Sequence, residues 1–417
     1  MTGVEAPGDS EWDATVQQLI GAADLQAAAR AVEGAVARTP TIACPDLGQG
    51  SGAAVSLKAE CLQLTGSFKL RGALSRVAAL GASAERGLVT ASAGNHARAV
   101  AEAARLRGVG CDVFMPRDAT VSKVLAAEEL GARVRLEGAS VDDALEQALR
   151  LAEETGAAFV HPFDDIDVIA GQATLGMELL EDVPDLARVV VPVGGGGLAS
   201  GIGIALRRAG SDALLVGVQA AACAPYVAAL AGEPVQHSSA MTIADGVAVK
   251  QPGRLTLPLL RELLDDLIVA EEDQIADAMV FLAERAKLVA EGAGAIAVAA
   301  LLSGRLAPVA GTTVAIVSGG NVDSGLFASL LLRHEAAEGR RVRIFTRVPD
   351  RPGGLAELLG LIATARANVV SVEHLREAVP LHVRETAVEL TLETRGPGHT
   401  EEVLGVLAVG GYDARIG

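Results

Sequence analysis

Val189-Val190-Val191-Pro192-Val193-Gly194-Gly195-Gly196-Gly197-Leu198 runs from an apolar, β-branched stretch straight into four glycines, and helix-forming residues resume at Ala199. A short apolar run bounded by glycine reads as a strand buried on both faces, the usual setting of a parallel sheet covered by helices. Consecutive glycines between a strand and a helix expose backbone N–H groups at the helix N-terminus, where they can cradle a phosphate. A glycine turn needed only for packing is the alternative. A dinucleotide site would further require an acidic residue at the end of the next strand. That strand, Leu214 to Val218, ends in Gln219, so a phosphate ligand of mononucleotide size fits better.

The same alternation extends to both sides. Short runs at Ala54 to Lys58, Gly87 to Thr90, Asp112 to Met115 and Arg133 to Leu136 alternate with helical patterns at His96 to Arg107, Val121 to Leu130 and Val141 to Thr155. A further strand is expected at Thr313 to Val317, and long helices at Glu271 to Lys287 and Ala293 to Leu302. Strands alternating with helices of this length predict βαβ units and an α/β fold. Upstream, Leu25, Ala28, Ala29, Val32 and Val36 recur at helical spacing behind Asp24, a candidate N-cap, and Thr39-Pro40 stops the pattern. Residues 1–23 are polar and acidic and read as a loose arm.

From about 333 to 341 the composition turns charged, as in a linker, and residues 342–417 follow a different order. Strand Val342 to Val348, helix Gly354 to Arg366, strands Asn368 to Arg376 and Glu385 to Glu393, helix Thr400 to Val409 and strand Tyr412 to Ile416 make βαββαβ. Val388, Leu390 and Leu392 alternate with Glu389, Thr391 and Glu393, which gives that sheet one wet face.

Composition limits the partners. The 417 residues allow two or three domains at ~150 residues each. Half the residues are hydrophobic but only 2% are aromatic, so Ala, Val and Leu must fill the core. A net charge of −17 excludes nucleic acid and anionic membrane as partners, since both need a basic face. Cys44, Cys61, Cys111 and Cys223 are widely spaced, as in a reduced, cytoplasmic protein. No secretory leader is expected, because the N-terminus is acidic. The most apolar long run, Ala213 to Gly232, is broken by Gln219 and Pro225 and reads as a buried strand and loop rather than a membrane span.

Among 35 Lys and Arg residues only five are lysines, at 58, 69, 123, 250 and 287. Arginine does not deprotonate, whereas lysine can become a nucleophile or base. Lys69 sits in Thr65-Gly66-Ser67-Phe68-Lys69-Leu70-Arg71-Gly72-Ala73, at the mouth of a predicted helix. Two more junctions follow predicted strands: Ser92-Ala93-Gly94-Asn95-His96, with neutral donors suited to a carboxylate, and Ser318-Gly319-Gly320-Asn321. Open α/β sheets bind ligands at such carboxyl ends. His96 reads as a helix-start histidine without a proton-transfer role.

These motifs, with Lys58-Ala59-Glu60, Gln63, His161-Pro162-Phe163-Asp164 and Ala244-Asp245-Gly246, resemble the serine/threonine dehydratase family of fold-type II pyridoxal-phosphate (PLP) enzymes, on its threonine ammonia-lyase branch. The resemblance spans about residues 25–330. Asp350-Arg351-Pro352-Gly353-Gly354-Leu355 and Asn368-Val369-Val370 resemble an ACT regulatory domain, although Pro-Asp-Arg-Pro-Gly is strong turn chemistry in any protein. The fold implied is tryptophan-synthase-β-like: two open parallel-sheet α/β subdomains plus a C-terminal βαββαβ domain. The smaller subdomain, about 54–155, is inserted in the larger within a catalytic domain at 24–332.

The resemblance assigns PLP to Phe68, Lys69, Asn95, Gly194, Gly195, Gly196, Gly197, Leu198 and Ser318. It assigns the amino-acid substrate to Ser92, Ala93, Gly94, Asn95 and His96. Lys69 would carry the cofactor and then move the Cα proton. A lysine starts near pKa ~10.4 and a useful base wants ~7–8, a gap of about 3 units or ~4 kcal/mol that desolvation must supply. Asn95 would contact the ring hydroxyl and Ser318 the ring nitrogen, where a neutral hydroxyl leaves the ring a weaker electron sink than a carboxylate would. Ala93 stands where racemases of the fold carry a serine, which implies elimination without appreciable racemisation.

Some positions depart from the family pattern. Arg98-Ala99 replaces Gln-Gly, Ala173 replaces a glycine, and Gln219 replaces a metal-ligand glutamate, so no metal site is expected there. Glu291 is open between a pocket-shaping and a structural role. The activity implied is L-threonine to 2-oxobutanoate and ammonia, first step of isoleucine biosynthesis, with L-serine as a poorer substrate and an amino-acid effector at the ACT domain. A serine-preferring or catabolic dehydratase, or a non-catalytic amino-acid sensor, are the alternatives. A homodimer or homotetramer is expected, because ACT domains pair edge to edge.

Overall fold

The computed structural model describes residues 9–48, 54–235, 241–375 and 384–417. They form two compact units that divide between Val322 and Asp323.

In the first unit, strands β1 (Thr41–Ala43) and β2 (Ala54–Lys58) precede a small sheet of β3 (Leu88–Ala91), β4 (Cys111–Met115), β5 (Arg133–Leu136) and β6 (Ala158–Phe159). The chain then returns through β7 (Leu186–Pro192), β8 (Leu214–Ala220), β9 (Asp266–Ala270) and β10 (Thr312–Ile316). The large sheet has the order β1-β2-β10-β7-β8-β9 and the small one β5-β4-β3-β6. The small sheet is wholly parallel, while the large one ends in an antiparallel edge, β1 on β2. β2 therefore lies in the larger sheet, not in a smaller subdomain starting near 54. Its pairing with β10 is non-local and leaves no trace in its own five residues.

β7 carries the predicted buried pattern, with Val189, Val190, Val191 and Val193 fully buried. Beneath the sheet runs the helix Gly292–Leu302, buried on every side from Gly292 to Ala300 and built mainly of small residues. The helix Lys69–Leu80 packs on helix Ile166–Asp182, and a side chain at Gly171 would run into the backbone of Arg71 and Gly72. That close approach brings together a buried charge cluster. Arg71, with no exposed surface, forks onto Glu60 and Glu178, and Lys58 Nζ lies 2.7 Å from Glu178 and 3.2 Å from Asp182. Burial works against the Arg71 cation, but the charges of Glu60 and Glu178 outweigh it and raise its pKa.

Three further expectations shift. The arm expected at 1–23 is, over its described part, the helix Asp9–Ala22, with Val16 and Ile20 buried in the main core. Its residues 1–8 lie outside the described residues, as does Arg376 at the end of the expected Asn368–Arg376 strand. The helix expected over Glu271 to Lys287 is Glu272–Phe281 followed by one π-turn, Leu282–Ala286, that ends at Lys287 in the left-handed region (φ 59°). The expected linker 333–341 is largely helix, because Ser324–Ala337 runs through it and belongs to the second unit.

That unit contains β11 (Arg341–Pro349), β12 (Asn368–Leu375), β13 (Glu385–Glu393) and β14 (Arg415–Ile416), in the antiparallel order β12-β13-β11-β14. Helices Gly354–Thr364 and Pro397–Val409 complete βαββαβ, and Val388, Leu390 and Leu392 face the core as their alternation predicts. Among the described residues no helix is long and apolar enough to cross a membrane.

Candidate active site

Loops at the carboxyl ends of β2, β3, β7 and β10 meet in the first unit. The Ser318–Asn321 loop is stitched to the Lys69 loop: Phe68 N–H donates to Ser318 O at 3.1 Å and Gly320 N–H to Gly66 O at 2.9 Å. Glu291 N–H donates to Gly319 O at 3.1 Å, which adds a fifth strand of chain to the same knot.

Lys69 retains some accessible surface, yet protein atoms surround its amine, which donates to Pro162 O at 2.9 Å. Desolvation pushes its pKa down to about 8, with Glu291 opposing. This is the size of shift that a base working near neutrality requires. Glu291, 7% exposed, moves the other way, up to about 7, through burial and the nearby Asp245, with Asn95, Lys123 and Lys69 opposing. The sequence leaves Glu291 undecided, and the structure puts its carboxylate against Asn95 Nδ2 at 2.5 Å.

The glycine loop is shaped by what surrounds it. A Cβ on Gly195 would enter the Phe163 ring, and one on Gly196 would lie 2.7 Å from the Tyr226 hydroxyl. Tyr226 Oη and Thr256 Oγ1 both lie 2.8 Å from Gly195 O as donors, anchoring the loop through its carbonyl side. The N–H groups of Gly195, Gly196 and Gly197 have no partner among the described residues. They lead into and open the helix Gly197–Arg208, so the loop offers unspent donors on a helix N-terminus, the chemistry of an anion cradle. Leu198 packs its side chain into the core, so only its backbone can face a ligand.

Pro162-Phe163 links the two halves, with Pro162 O under the Lys69 amine and Phe163 against the glycines. Sequence reasoning assigns this segment no role. Asp164 next to it accepts from the N–H groups of Leu255 at 2.8 Å and Arg254 at 2.9 Å, and His161 Nδ1 accepts from Asp164 N–H at 2.7 Å.

Of the expected substrate residues, Ser92, Ala93, Gly94 and Asn95 are half-buried at the start of helix Asn95–Arg107, and Ser92 Oγ accepts from Gly94 N–H at 3.1 Å. The His96 side chain, expected to take no part in proton transfer, is engaged elsewhere. Its ring is buried, Nε2 bonds the Val160 carbonyl at 3.0 Å, and burial with the neighbouring Lys69 charge pushes its pKa down to about 3. The ring is neutral and committed, and only the His96 backbone N–H remains for a ligand. Ser318 Oγ, buried, donates to Ala293 O at 3.2 Å. Gln219 donates to Val193 O at 3.2 Å and accepts from Tyr226 N–H at 3.0 Å, so its amide joins β8 to the glycine loop. Among the described residues no cluster of His, Cys, Asp and Glu could hold a metal ion.

An amine of lowered pKa and a set of free amides flank the same segment, Pro162-Phe163. That donor set suits a carbonyl compound bearing a phosphate.

Comparison with known proteins gives the same picture. A model of the pyridoxal-phosphate dependent enzyme family matches residues 32–319. The chain is 46% identical over 396 residues to an L-threonine ammonia-lyase of Thermotoga maritima, covering 94% of this chain and 98% of that one. It is 42% identical over 273 residues to the catabolic L-threonine dehydratase TdcB of Escherichia coli (strain K12), covering 64% of this chain and 83% of that one. The structure of maize serine racemase superposes with a TM-score of 0.70 at 35% identity, covering 75% of this chain and 97% of that one.

Proposed function

This chain belongs to the pyridoxal-phosphate dependent enzyme family, and on that premise we propose that it eliminates water from L-threonine to give, after hydrolysis, 2-oxobutanoate and ammonia. The observation that carries the reading is the pairing of Lys69, its amine lowered to about 8, with the partnerless amides of Gly195, Gly196 and Gly197 across Pro162-Phe163.

Bound pyridoxal phosphate supplies a conjugated ring that takes up the electron pair left when Cα loses its proton. The chain does the rest. The glycine amides and the helix N-terminus would hold the phosphate, and Lys69 would anchor the aldehyde carbon. Asn95 would donate to the ring oxygen, and the Ser318 hydroxyl, turned from Ala293 O, would meet the ring nitrogen. The amides of Ala93, Asn95 and His96, which donate to no other described group, would hold the substrate carboxylate, since Ser92 N–H is spent on Phe114 O and Gly94 N–H on Ser92 Oγ. The Nζ of Lys69, when not bound to the cofactor, would be the group that takes the Cα proton. Near neutral pH a useful fraction of an amine with pKa about 8 is unprotonated, which an ordinary lysine would not offer.

Position 93 is alanine, so it holds no hydroxyl for a second proton donor on the opposite face of Cα. L-serine is therefore expected to give pyruvate with little D-serine. In one assay, oxo-acid release from L-threonine and L-serine is followed with chiral analysis of remaining serine. Threonine turnover with no D-serine is the expected result, and D-serine forming as fast as pyruvate contradicts it.

For regulation, residues 342–417 act in this reading as an ACT domain that takes an amino-acid effector and pairs chains into a dimer or tetramer. In support, a cavity of about 560 Å³ is lined by Val348, Asp350, Arg351, Leu359 and Thr386, and Thr386 Oγ1 is buried without a partner among the described residues. The ammonia-lyase relative matches 94% of this chain against 64% for the catabolic one, which supports a working role for the second unit; this reading takes the role as isoleucine-producing and cytoplasmic. Adding isoleucine or valine to the threonine assay tests it. Half-saturation is expected to shift severalfold, and no response to either amino acid counts against the regulatory role.

A further inference from the structure

Four side chains behind the Lys69 loop form one directed chain of hydrogen bonds. Arg98 Nη1 donates to Asn321 Oδ1 at 2.5 Å, Asn321 Nδ2 donates to Asn95 Oδ1 at 2.6 Å, and Asn95 Nδ2 donates to Glu291 Oε1 at 2.5 Å. The second N–H of Asn321 donates to Thr65 O at 2.9 Å.

The direction follows from chemistry. A guanidinium only donates and a backbone carbonyl only accepts. Both faces that meet Asn321 Nδ2 are oxygens, and the face that meets Oδ1 is a cation. Turning the Asn321 amide over would set oxygen against two oxygens and N–H against guanidinium. Asn95 inherits the constraint: its oxygen is taken by Asn321 and one N–H by Glu291, which leaves a single N–H unspent. The packing is built for this arrangement. A side chain at Gly66 (φ 77°) would collide with the Asn321 amide, and one at Gly319 would collide with Glu291 and crowd Asn95 Nδ2.

We propose that Asn321, backed by Arg98, is a positioning residue that fixes the orientation of the Asn95 amide, so that Asn95 can only donate, never accept, toward the oxygen on the cofactor ring. This rests on the proposed function, since it presumes that the ring oxygen lies at Asn95. An amide turned the other way would set its oxygen against a phenolate-like oxygen and raise the energy of the electron-accepting ring.

The experiment uses full-length protein loaded with pyridoxal phosphate and compares Asn321→Ala, Asn321→Asp, Arg98→Met and Arg98→Gln. Aspartate accepts from Arg98 but cannot donate to Asn95, whereas glutamine at 98 can still donate to Asn321. Both Asn321 variants are expected to move the wavelength or pH midpoint of the cofactor's visible band. They are expected to lower kcat by about tenfold or more with KM for threonine within about threefold, because the amides that hold the carboxylate are untouched. Arg98→Met moves the band the same way, and it serves if the Asn321 variants do not fold. Arg98→Gln keeps the wild-type band. A purely structural chain would lower the melting temperature and leave the band and kcat unchanged, and that result overturns the inference, as does Arg98→Gln behaving like Arg98→Met. A wild-type protein with no visible band overturns the proposed function first, and this inference with it.

Discussion

Replacing Lys69 with methionine is expected to abolish 2-oxobutanoate release, by about 10⁴-fold or more, because one group both anchors the cofactor and moves the proton. The other four lysines offer no substitute. Lys58 is committed to Glu178 and Asp182, Lys123 to Asp245, Lys250 to Asp142, and Lys287 to the Glu284 carbonyl. The same substitution is expected to stabilise the protein free of pyridoxal phosphate. Folding lowers the Lys69 pKa from an ordinary 10.5 to about 8. Between those values the unfolded chain binds more protons, so stability rises with pH; below about 8 the cost of the enclosed ammonium is present in full. Removing the amine near neutral pH should therefore gain about 1–3 kcal/mol, discounted because Lys69 keeps some accessible surface. The gain should vanish above the unfolded pKa. Urea unfolding across this range checks it, and a gain that grows with pH contradicts the assignment.

Replacing Arg71 with alanine is expected to destabilise the fold by about 3–5 kcal/mol, because it leaves the enclosed Glu60 carboxylate without its cation. Arg71 and Glu60 have no exposed side-chain surface, and Glu178 on the neighbouring helix is 13% exposed. Lysine is not expected to rescue it, since one ammonium cannot fork onto two carboxylates as the guanidinium does. Arg71 is two residues from Lys69 in the first turn of the same helix, so activity should fall along with stability. Denaturant unfolding of Arg71→Ala and Arg71→Lys checks this, and a loss under 1 kcal/mol in both would mean that packing alone seats the helix.

The parts of the site that are legible in the sequence are those made by local grammar. A strand that ends in small or polar residues before a helix reveals itself, so Gly194–Gly197, Ser92–Asn95 and Ser318 could be read where they stand. Lys69 stands out through the scarcity of lysine. The residues that escaped are those whose roles arise from tertiary contact. Nothing local marks Phe163 as the wall behind Gly195, Tyr226 as the anchor of the loop's carbonyl, or Glu291 as the acceptor for Asn95. The helix Asp9–Ala22 was hidden by its acidic start, although Val16, Ile20 and Ala23 carry the spacing of a buried stripe. The helix ending at Phe281 was overrun because every residue up to Lys287 favours helix. The left-handed Lys287 turns the chain so that Leu288 enters the core and Glu291 reaches the site.

One lysine of five, Lys69, is the expected anchor of the cofactor. Loading the protein with pyridoxal phosphate, making the link to lysine permanent with borohydride, and mapping the modified peptide by mass spectrometry tests it directly. The expected result is a single pyridoxyl-phosphate group on the peptide that contains Lys69. A group on Lys58, Lys123, Lys250 or Lys287 instead, or none on any lysine, would contradict it.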